Sequence, residues 1–344
     1  MGALSVATIR RSAKWWLGIV LSVICLVLAL RGVALADVLA ALARTNYGLV
    51  AVAVVTVVLT GMAKTARWRL LFYPKQAQLR FKGLLGALMI GQMVNLAIPA
   101  RLGELVRAYT LGATEGVSTS LALGTIVVEK LFDMLMALLC LILLFLLIYL
   151  PSWVWELGFS LAIGTGAVLV VALAMTYQRD RILRGVAALL RLLPPLAGRQ
   201  LYLQIESALK GLEVLRHVQA NLSIWGWSLL IWVLAVATNY VVFLAMRMAL
   251  PLVAALFLLV VLQVGGAVPS SPGKVGVFQY LCVLALSLFS VERSVTLGCS
   301  LVLYLVVFLP PLLLGTFFLS RSPVAFHALK SGGPVVVLPG EDAR

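Results

Sequence analysis

Long runs of apolar residues alternate along this chain with short connections that hold most of its charged residues. Several runs reach or approach the roughly 20 residues that an α-helix needs to cross the hydrocarbon core of a bilayer. The pattern predicts full spans at residues 15–30, 48–66, 120–150, 157–177, 222–246 and 295–319. The predicted fold class is therefore all-α, a polytopic membrane helical bundle with about six full spans.

The charge of the connections predicts the orientation of these spans. Residues 67–82 contain five basic residues and no acid, and residues 179–216 contain seven basic residues against three acids. Because cytoplasmic connections carry an excess of Lys and Arg, both are expected inside. Residues 151–156 lack Lys and Arg and contain Trp153 and Trp155, so they are expected as an outer loop with an aromatic anchor.

These assignments constrain the segment between residues 83 and 119. It follows an inner connection, and the span at 120–150 must also begin inside in order to end outside. A full crossing at the apolar piece 84–98 would place all seven basic residues of 179–216 outside, against the charge bias. The segment is therefore predicted to be a re-entrant helical hairpin that enters and leaves on the same face.

A second pair of short apolar pieces lies at residues 252–268 and 275–290. Two full crossings and one hairpin give the same parity here, so both alternatives stay open. The connection VPSSPGKVG, residues 268–276, resembles IPARLGELV, residues 98–106, although Pro-to-Gly spacing can also recur by chance. Paired interruptions in two halves of a transporter indicate an inverted repeat with a binding site at its centre. The residues expected to break the helices are Pro99, Gly103, Pro269, Pro272, Gly273 and Gly276.

Composition supports a membrane protein and argues against several other classes. Hydrophobic residues make up 63% of the chain and charged residues only 11%, whereas soluble domains are about 25% charged. The net charge of +15 lies mostly in the connections, which fits contact with anionic lipid headgroups rather than nucleic acid. No metal-ligand spacing, nucleophile elbow or phosphate loop is present, so we expect no metal, no cofactor and no recognisable catalytic motif.

The ends of the chain and its longest connection complete the predicted organisation. Residues 1–37 are interpreted as an uncleaved first helix with a cytoplasmic N-terminus, and a cleaved signal sequence is the alternative. Residues 178–220 form an amphipathic cytoplasmic connection that lies in the interface or packs on the bundle as a linker helix. A single transmembrane domain is expected over residues 1–320, followed by a cytoplasmic tail at 321–344.

Charged residues close to the first predicted break are candidates for headgroup binding. Arg101, Glu104 and Arg107 recur every third residue, which gives a slanted polar stripe on a helix. A guanidinium offers a planar fork of donors that suits phosphate. The two arginines, with Lys274 of the second connection, are predicted to bind a lipid headgroup that Glu104 also contacts. Snorkelling of each arginine to the interface is the alternative.

Two carboxylates share one face near the start of the 120–150 span. Glu129 and Asp133 are four residues apart and would repel each other unless cations or protons relieve them. Arg101, Arg107 and Lys274 are the cations expected nearby, whereas Lys130 points about 100° away on the helix. The pair is interpreted as charge-balancing or proton-coupling, and a structural ion-pair network that only fixes the hairpins is the alternative.

Three ordered motifs resemble those of a known family. They are PARLGELVRAYTL at residues 99–111, VVEKLFD at 127–133 and VPSSPGKVGVFQ at 268–279. The chain is similar to the lysylphosphatidylglycerol synthase transmembrane-domain family, also called flippase-like integral membrane proteins. Lys130 stands where the family motif has Arg, Lys274 where Gly is typical, and Gln279 where Glu is usual. The soluble aminoacyltransferase domain of the best-known members is not expected in this chain.

The resemblance implies a lipid flippase of the cytoplasmic membrane, with both termini inside, that moves a phospholipid or glycolipid between leaflets. A membrane-embedded lipid-modifying transferase, or a subunit that presents lipid to a separate enzyme, is the second hypothesis. A small-solute transporter is a third, which the scarcity of further intramembrane carboxylates disfavours.

Overall fold

In the computed structural model, residues 19–98, 102–190, 195–266 and 271–322 are described, and none of them forms a β-strand. The first half contains α1 (Ile19–Leu30), α2 (Leu35–Ala43), α3 (Tyr47–Leu70), α4 (Phe81–Ala97), α5 (Gly103–Glu115) and α6 (Thr119–Leu147). The second contains α7 (Ser152–Tyr177), α8 (Arg179–Leu190), α9 (Pro195–Lys210), α10 (Val218–Ala245), α11 (Leu252–Gly265), α12 (Val277–Ser287) and α13 (Arg293–Ser320).

Five helices of this described part, α3, α6, α7, α10 and α13, are long and apolar enough to cross a membrane. Helices α1 and α2 pass the same test together, with a bend of 81° at the break between them. The six predicted spans each overlap one of these elements. The predicted polytopic helical bundle is confirmed, and the bend between α1 and α2 is a feature that hydropathy did not indicate.

The structure corrects the predicted end of the second span. Residues from 67 onward were expected in a cytoplasmic connection, but α3 continues to Leu70 and the Arg67 side chain is fully buried. Helix α3 can continue with a buried guanidinium because Glu129 and Asp133 of α6 face it. The first connection therefore begins at Leu71, and two of its expected basic residues, Arg67 and Arg69, belong to α3 instead.

The predicted outer loop at residues 151–156 is also shorter than expected. Helix α7 begins at Ser152, so both tryptophans lie in its first turn. The Trp155 ring stacks on Phe145 of α6 with ring centroids 3.8 Å apart, and Trp153 lies 6.3 Å from Phe257 of α11. Aromatic contacts therefore close this end of the bundle where a loop was expected.

Helices α4 and α5 form the first predicted hairpin. Their 17 and 13 residues correspond to about 25 and 20 Å, less than the roughly 30 Å of a hydrocarbon core. At the turn, the Gly103 N–H donates to Asn95 Oδ1 at 2.8 Å, and at the open end Glu115 pairs with Arg80 at 3.1 Å. A Cβ on Gly103 would collide with the Gly91 carbonyl, so the arms approach closely only with glycine there.

Helices α11 and α12 form a second antiparallel hairpin. Their 14 and 11 residues correspond to about 21 and 17 Å, so neither crosses a bilayer alone. Phe257 and Phe289 meet at the open end with centroids 6.1 Å apart, and Gly265 packs on Leu281 close to the turn. These lengths decide between the two alternatives that charge parity left open, in favour of a hairpin.

The two halves of the chain repeat the same packing. Helix α3 lies antiparallel to α10, because Thr56 hydrogen-bonds Thr238 at 2.7 Å while Arg67 donates to Ser228 at 3.1 Å. Helix α4 packs on α13 as α11 packs on α6, and α2 packs on α13 as α9 packs on α6. A helix–hairpin–helix unit is therefore present twice, in opposite directions, as an inverted repeat requires.

The amphipathic connection forms α8 and α9. Arg179 pairs with Glu206 at 3.3 Å and with Glu213, which ties the start of α8 to the end of α9. Helix α9 packs closely on α6 through the backbones at Ala208 and Gly124. This contact is the packed arrangement that the sequence left as one of two alternatives.

Candidate functional site

A cavity of 370 Å³ lies where the two hairpins approach each other. Helix α4 of the first hairpin contacts the short 3₁₀ turn Pro272–Lys274 of the second. Helices α3, α6, α10 and α13 complete the walls. Both hairpins, which the sequence predicted separately, thus contribute to one site.

Charged side chains form one wall of this cavity. The two cations Arg67 and Arg107 flank Glu129: Arg107 Nη2 lies 2.7 Å from Glu129 Oε2, and Arg67 Nη2 lies 3.6 Å from Glu129 Oε1. Arg67 Nη1 also lies 2.7 Å from Asp133 Oδ1. Charges at this depth are costly unless they are paired, and here each carboxylate has a guanidinium partner.

Trp68 holds Arg107 in place from the other side. The Arg107 guanidinium carbon lies 3.6 Å from the centroid of the indole ring, close enough for a strong cation–π contact. The Trp68 Nε1–H donates to Thr125 Oγ1 at 3.1 Å, which fixes the ring. Arg107 is 5% exposed, so it does not snorkel to the interface. Within the described residues its Nε–H has no hydrogen-bond acceptor and remains able to donate.

Glu104 and Lys130 form a more open ion pair at the edge of the charged wall. Their side chains approach to 3.5 Å and are 22% and 52% exposed. Lys130 was expected to be a poor partner for Glu129 and Asp133, and the carboxylate it meets belongs to neither. Glu104 Oε2 is buried and accepts no hydrogen bond from the described part of the chain.

Apolar side chains from the second repeat form the opposite wall. The apolar residues that α11, α12 and α13 contribute include Leu259, Leu262, Val277, Phe278, Leu281, Val307, Phe308 and Leu314. Lys274 reaches the cavity from the turn between α11 and α12, with Gln263 nearby on α11. The cavity is therefore two-sided, with a charged wall facing a largely apolar one.

The inverted repeat explains this two-sided character. Cavity residues of the two halves match at a separation of 174 positions, as in Lys64 and Thr238 or Arg107 and Leu281. On α4 and α11 the separation is 171 positions, as in Leu88 and Leu259. The second hairpin therefore has a longer turn. Equivalent positions line the cavity twice, but all three carboxylates of its lining, and every cation of its lining except Lys274, belong to the first half.

The structure brings most of the predicted site residues together. Glu104, Arg107, Glu129, Asp133 and Lys274 all line the cavity. Arg101, which the sequence paired with Arg107, lies outside the described residues, as do Pro99 and Pro269.

The predicted helix breakers of the second hairpin form its turn. Pro272 begins the 3₁₀ turn, and the Gly273 carbonyl accepts a hydrogen bond from Tyr304 at 2.7 Å. Gly276 has φ of +86° and lies so close to the Ser22 carbonyl of α1 that a side chain would collide. In the register of the repeat, Gly103 corresponds to Val277, so the Pro-to-Gly likeness of the two sequences is not the structural alignment.

The sequence did not predict two cations of this region, namely Lys64, which lines the cavity, and Arg67, which is fully buried beside Glu129 and Asp133. Arg67 was assigned to a connection because it begins a basic segment, and Lys64 was not singled out. Both lie on α3 at helical spacing, three residues apart. That spacing at the end of an apolar run could have indicated that both cations belong to the helix. Within the described part of the chain, no group of His, Cys, Asp and Glu side chains could hold a metal ion.

Comparisons with known proteins agree with this architecture. The profile of the family described as Lysylphosphatidylglycerol synthase TM region matches residues 15–315. A UPF0104 membrane protein of Methanothermobacter thermautotrophicus is 24% identical over 260 residues, covering 71% of this chain and 76% of that protein. A UPF0104 membrane protein of Methanocaldococcus jannaschii is 23% identical over 58% of this chain and 82% of its own.

A third relative is similar over a shorter stretch. Glycosyltransferase AglD of Haloferax volcanii is 30% identical over 118 residues, which cover 34% of this chain and 19% of that protein. The chain thus spans only a small part of that glycosyltransferase. No solved structure matches the chain.

Proposed function

The chain belongs to the family of lysylphosphatidylglycerol synthase transmembrane regions, and from this premise we propose that it moves a phosphate-bearing lipid between the leaflets of its membrane. That it is an integral membrane protein of a lipid-related family follows from the family match and the long apolar helices. Translocation itself, the phospholipid or glycolipid substrate and the cytoplasmic membrane as its location are parts of the proposal.

The two-sided cavity is the observation that supports this function best. A lipid carries a charged headgroup on apolar chains, and the cavity places a charged wall opposite an apolar one. Ligand sites of secondary transporters form where broken helices of two repeats meet near the bilayer centre. A small polar solute would make no favourable contact with the apolar wall, so the cavity fits an amphiphile better.

In the proposed mechanism, the headgroup phosphate binds at the charged wall while the chains extend along the second repeat. Arg107 still has its Nε–H to donate, and a guanidinium binds phosphate oxygens well. Glu129 keeps Arg107 and Arg67 from attracting any anion too strongly, because it already neutralises part of their charge. The carboxylates thus make binding weak enough for the headgroup to leave on the other side.

Reconstituted translocation tests this proposal. Proteoliposomes with a fluorescent phospholipid in one leaflet should show lipid exchange with the wild-type protein. We expect Arg107→Gln and Lys274→Gln to slow exchange at least about tenfold, since each removes a charge-assisted contact. Arg321→Gln, at an exposed position beyond the cavity, is the matched control. Exchange at the wild-type rate in both cavity variants would rule out a headgroup site there.

A lipid-modifying transferase, or a subunit that presents lipid to one, is the second candidate. The similarity of a 118-residue segment to glycosyltransferase AglD favours it over other enzyme classes. Detergent micelles separate the two functions because they have no leaflets. Turnover of a lipid substrate by the purified protein in detergent, with no exchange in liposomes, would favour the transferase.

A further inference from the structure

One lysine of the charged wall takes part in none of its ion pairs. The three carboxylates of the cavity each match one cation, namely Asp133 with Arg67, Glu129 with Arg107 and Glu104 with Lys130. Lys64 lies on the same wall, three residues before Arg67 on α3. It forms no ion pair or hydrogen bond with any residue that the structure describes.

A partly buried lysine within a membrane span is stabilised when an anion binds beside it. Charged side chains in spans are costly, face the interior or a cavity, and pair with an opposite charge. Asp133 of the charged wall is already bound by Arg67 at 2.7 Å, and Glu129 by Arg107 at 2.7 Å. An anion that enters the cavity can therefore bind Lys64 without breaking an existing ion pair, whereas Nη atoms of Arg67 and Arg107 are already paired with carboxylates.

We propose that Lys64 is the primary anchor for a phosphate group in the cavity, with Arg107 Nε–H as a second donor. This inference rests on the proposed function, since it names the contact through which the headgroup is held. A lysine ammonium is a compact charge with three donors and binds phosphate as a point charge. Lys274 supplies a further positive charge from the opposite hairpin.

The repeat indicates that the molecule has one such site and not two. The position equivalent to Lys64 in the second half is Thr238, whose hydroxyl hydrogen-bonds Thr56 at 2.7 Å and the Leu234 carbonyl at 2.8 Å. That hydroxyl is already used to join α3 and α10. The expected stoichiometry is therefore one phosphate per chain.

Binding measurements on purified protein in detergent test this site. The probes are dihexanoyl phosphatidylglycerol, dihexanoylglycerol, which lacks the phosphate, and inorganic phosphate. We expect Lys64→Gln to weaken binding of the phospholipid by about 10- to 100-fold, the usual worth of a charge-assisted hydrogen bond. Lys64→Arg should keep most of the affinity, and dihexanoylglycerol should bind both proteins equally. Wild-type affinity in Lys64→Gln would overturn the proposal.

Chemical footprinting tests the same site in the wild-type protein, so its result does not depend on the folding of a variant. The phospholipid should protect Lys64 from an amine-acetylating reagent, while Lys82, which is exposed away from the cavity, should react as before. Equal acetylation of Lys64 with and without the phospholipid would contradict the site. Inorganic phosphate that protects Lys64 as well as the lipid does would support the anion site and assign it a soluble ligand.

The outcome separates this site from the function on which it rests. Exchange of lipid in liposomes by both wild type and Lys64→Gln, with equal phospholipid affinities, would leave the translocase standing and remove the Lys64 site. Phospholipid binding that depends on Lys64, without any exchange by the wild type, would keep the site and remove the translocase.

Discussion

At the scale of single residues, Glu129 is the most connected carboxylate of the charged wall. It lies between two guanidiniums, at 2.7 Å from Arg107 and 3.6 Å from Arg67, and only 4% of it is exposed. Counted from the first residue of α6, it is about 15 Å along the helix, which places it deep in the bundle. Its charge is therefore held by ion pairs rather than by water.

Removing the charge of Glu129 should destabilise the fold more than removing that of Glu104. Glu129→Gln leaves Arg107 with no carboxylate, and breaking a buried pair this way costs about 3 kcal/mol. Glu104→Gln is the matched control, because its partner Lys130 is half exposed and such pairs contribute less than about 1 kcal/mol. The free energies of unfolding in mixed micelles measure both. Equal losses would show that the buried pairs do not hold the bundle together.

Single charged residues were only partly predictable from the sequence. Glu129 and Asp133 were recognised as one helix face because their spacing places them there whatever the surroundings. Arg67 was not, because it begins a basic segment after an apolar run, and local hydropathy contains no information about the carboxylates that α6 supplies. Tertiary contacts, which a local pattern does not contain, extend α3 to Leu70.

At the scale of elements, the first hairpin was predictable because it followed from charge parity rather than from local propensity. The bend between α1 and α2 and the shortness of the second hairpin did not follow from parity, since neither changes the side on which the chain leaves. Helix lengths resolve the second hairpin: 14 and 11 residues do not reach across. The alignment of the two repeats could not be predicted either. The turn of the second hairpin is longer than that of the first, so α12 aligns with α5 at a different separation than α11 does with α4.

The contact between the arms of the first hairpin depends on Gly103. Gly103→Ala would drive a methyl group into the Gly91 carbonyl and the Asn95 side chain, and overpacking of this kind costs about 1–3 kcal/mol. Gly164→Ala is the control, since no atom lies within 4 Å of its new Cβ on the membrane-spanning α7, and alanine favours a helix. We expect a lower unfolding temperature for the first variant and an unchanged or higher one for the second.

The result for lipid exchange should follow the same order. A hairpin whose arms are forced apart displaces Arg107, which lies one turn beyond Gly103 on α5. Gly103→Ala is therefore expected to slow exchange, whereas Gly164→Ala should not. Slow exchange in Gly164→Ala would mean that α7, and not only the hairpins, takes part in translocation.

At the scale of the whole molecule, a symmetric fold carries an asymmetric chemistry. Equivalent helices of both repeats line the cavity. The charged positions on α3, α5 and α6 correspond in the second repeat to uncharged residues, namely Thr238, Phe278, Leu281 and Val307. Because the two halves are similar, the cavity lies between two hairpins whose arms are each too short to cross the bilayer. The difference between them would give the lipid of the proposed function a fixed orientation within the cavity.

The inverted repeat predicts that the open ends of the two hairpins lie on opposite faces of the membrane. Single cysteines at the exposed positions Lys82 and Ser290 mark these ends, and cysteines at Arg199 and Ser152 mark the predicted inner and outer faces. In intact cells, an impermeant thiol reagent should label Ser290→Cys and Ser152→Cys but not Lys82→Cys or Arg199→Cys. The four native cysteines are buried or half-buried, so background labelling should be low.

Each pattern of labelling has a distinct structural meaning. Labelling of both hairpin ends from outside would place the hairpins on one face and contradict the inverted repeat, whatever the orientation of the bundle. Labelling of Lys82→Cys and Arg199→Cys alone would keep the repeat and reverse the orientation that the basic connections predict. Because the cavity lies between the hairpins, the first outcome would also remove the two-sided path on which the proposed lipid translocation depends.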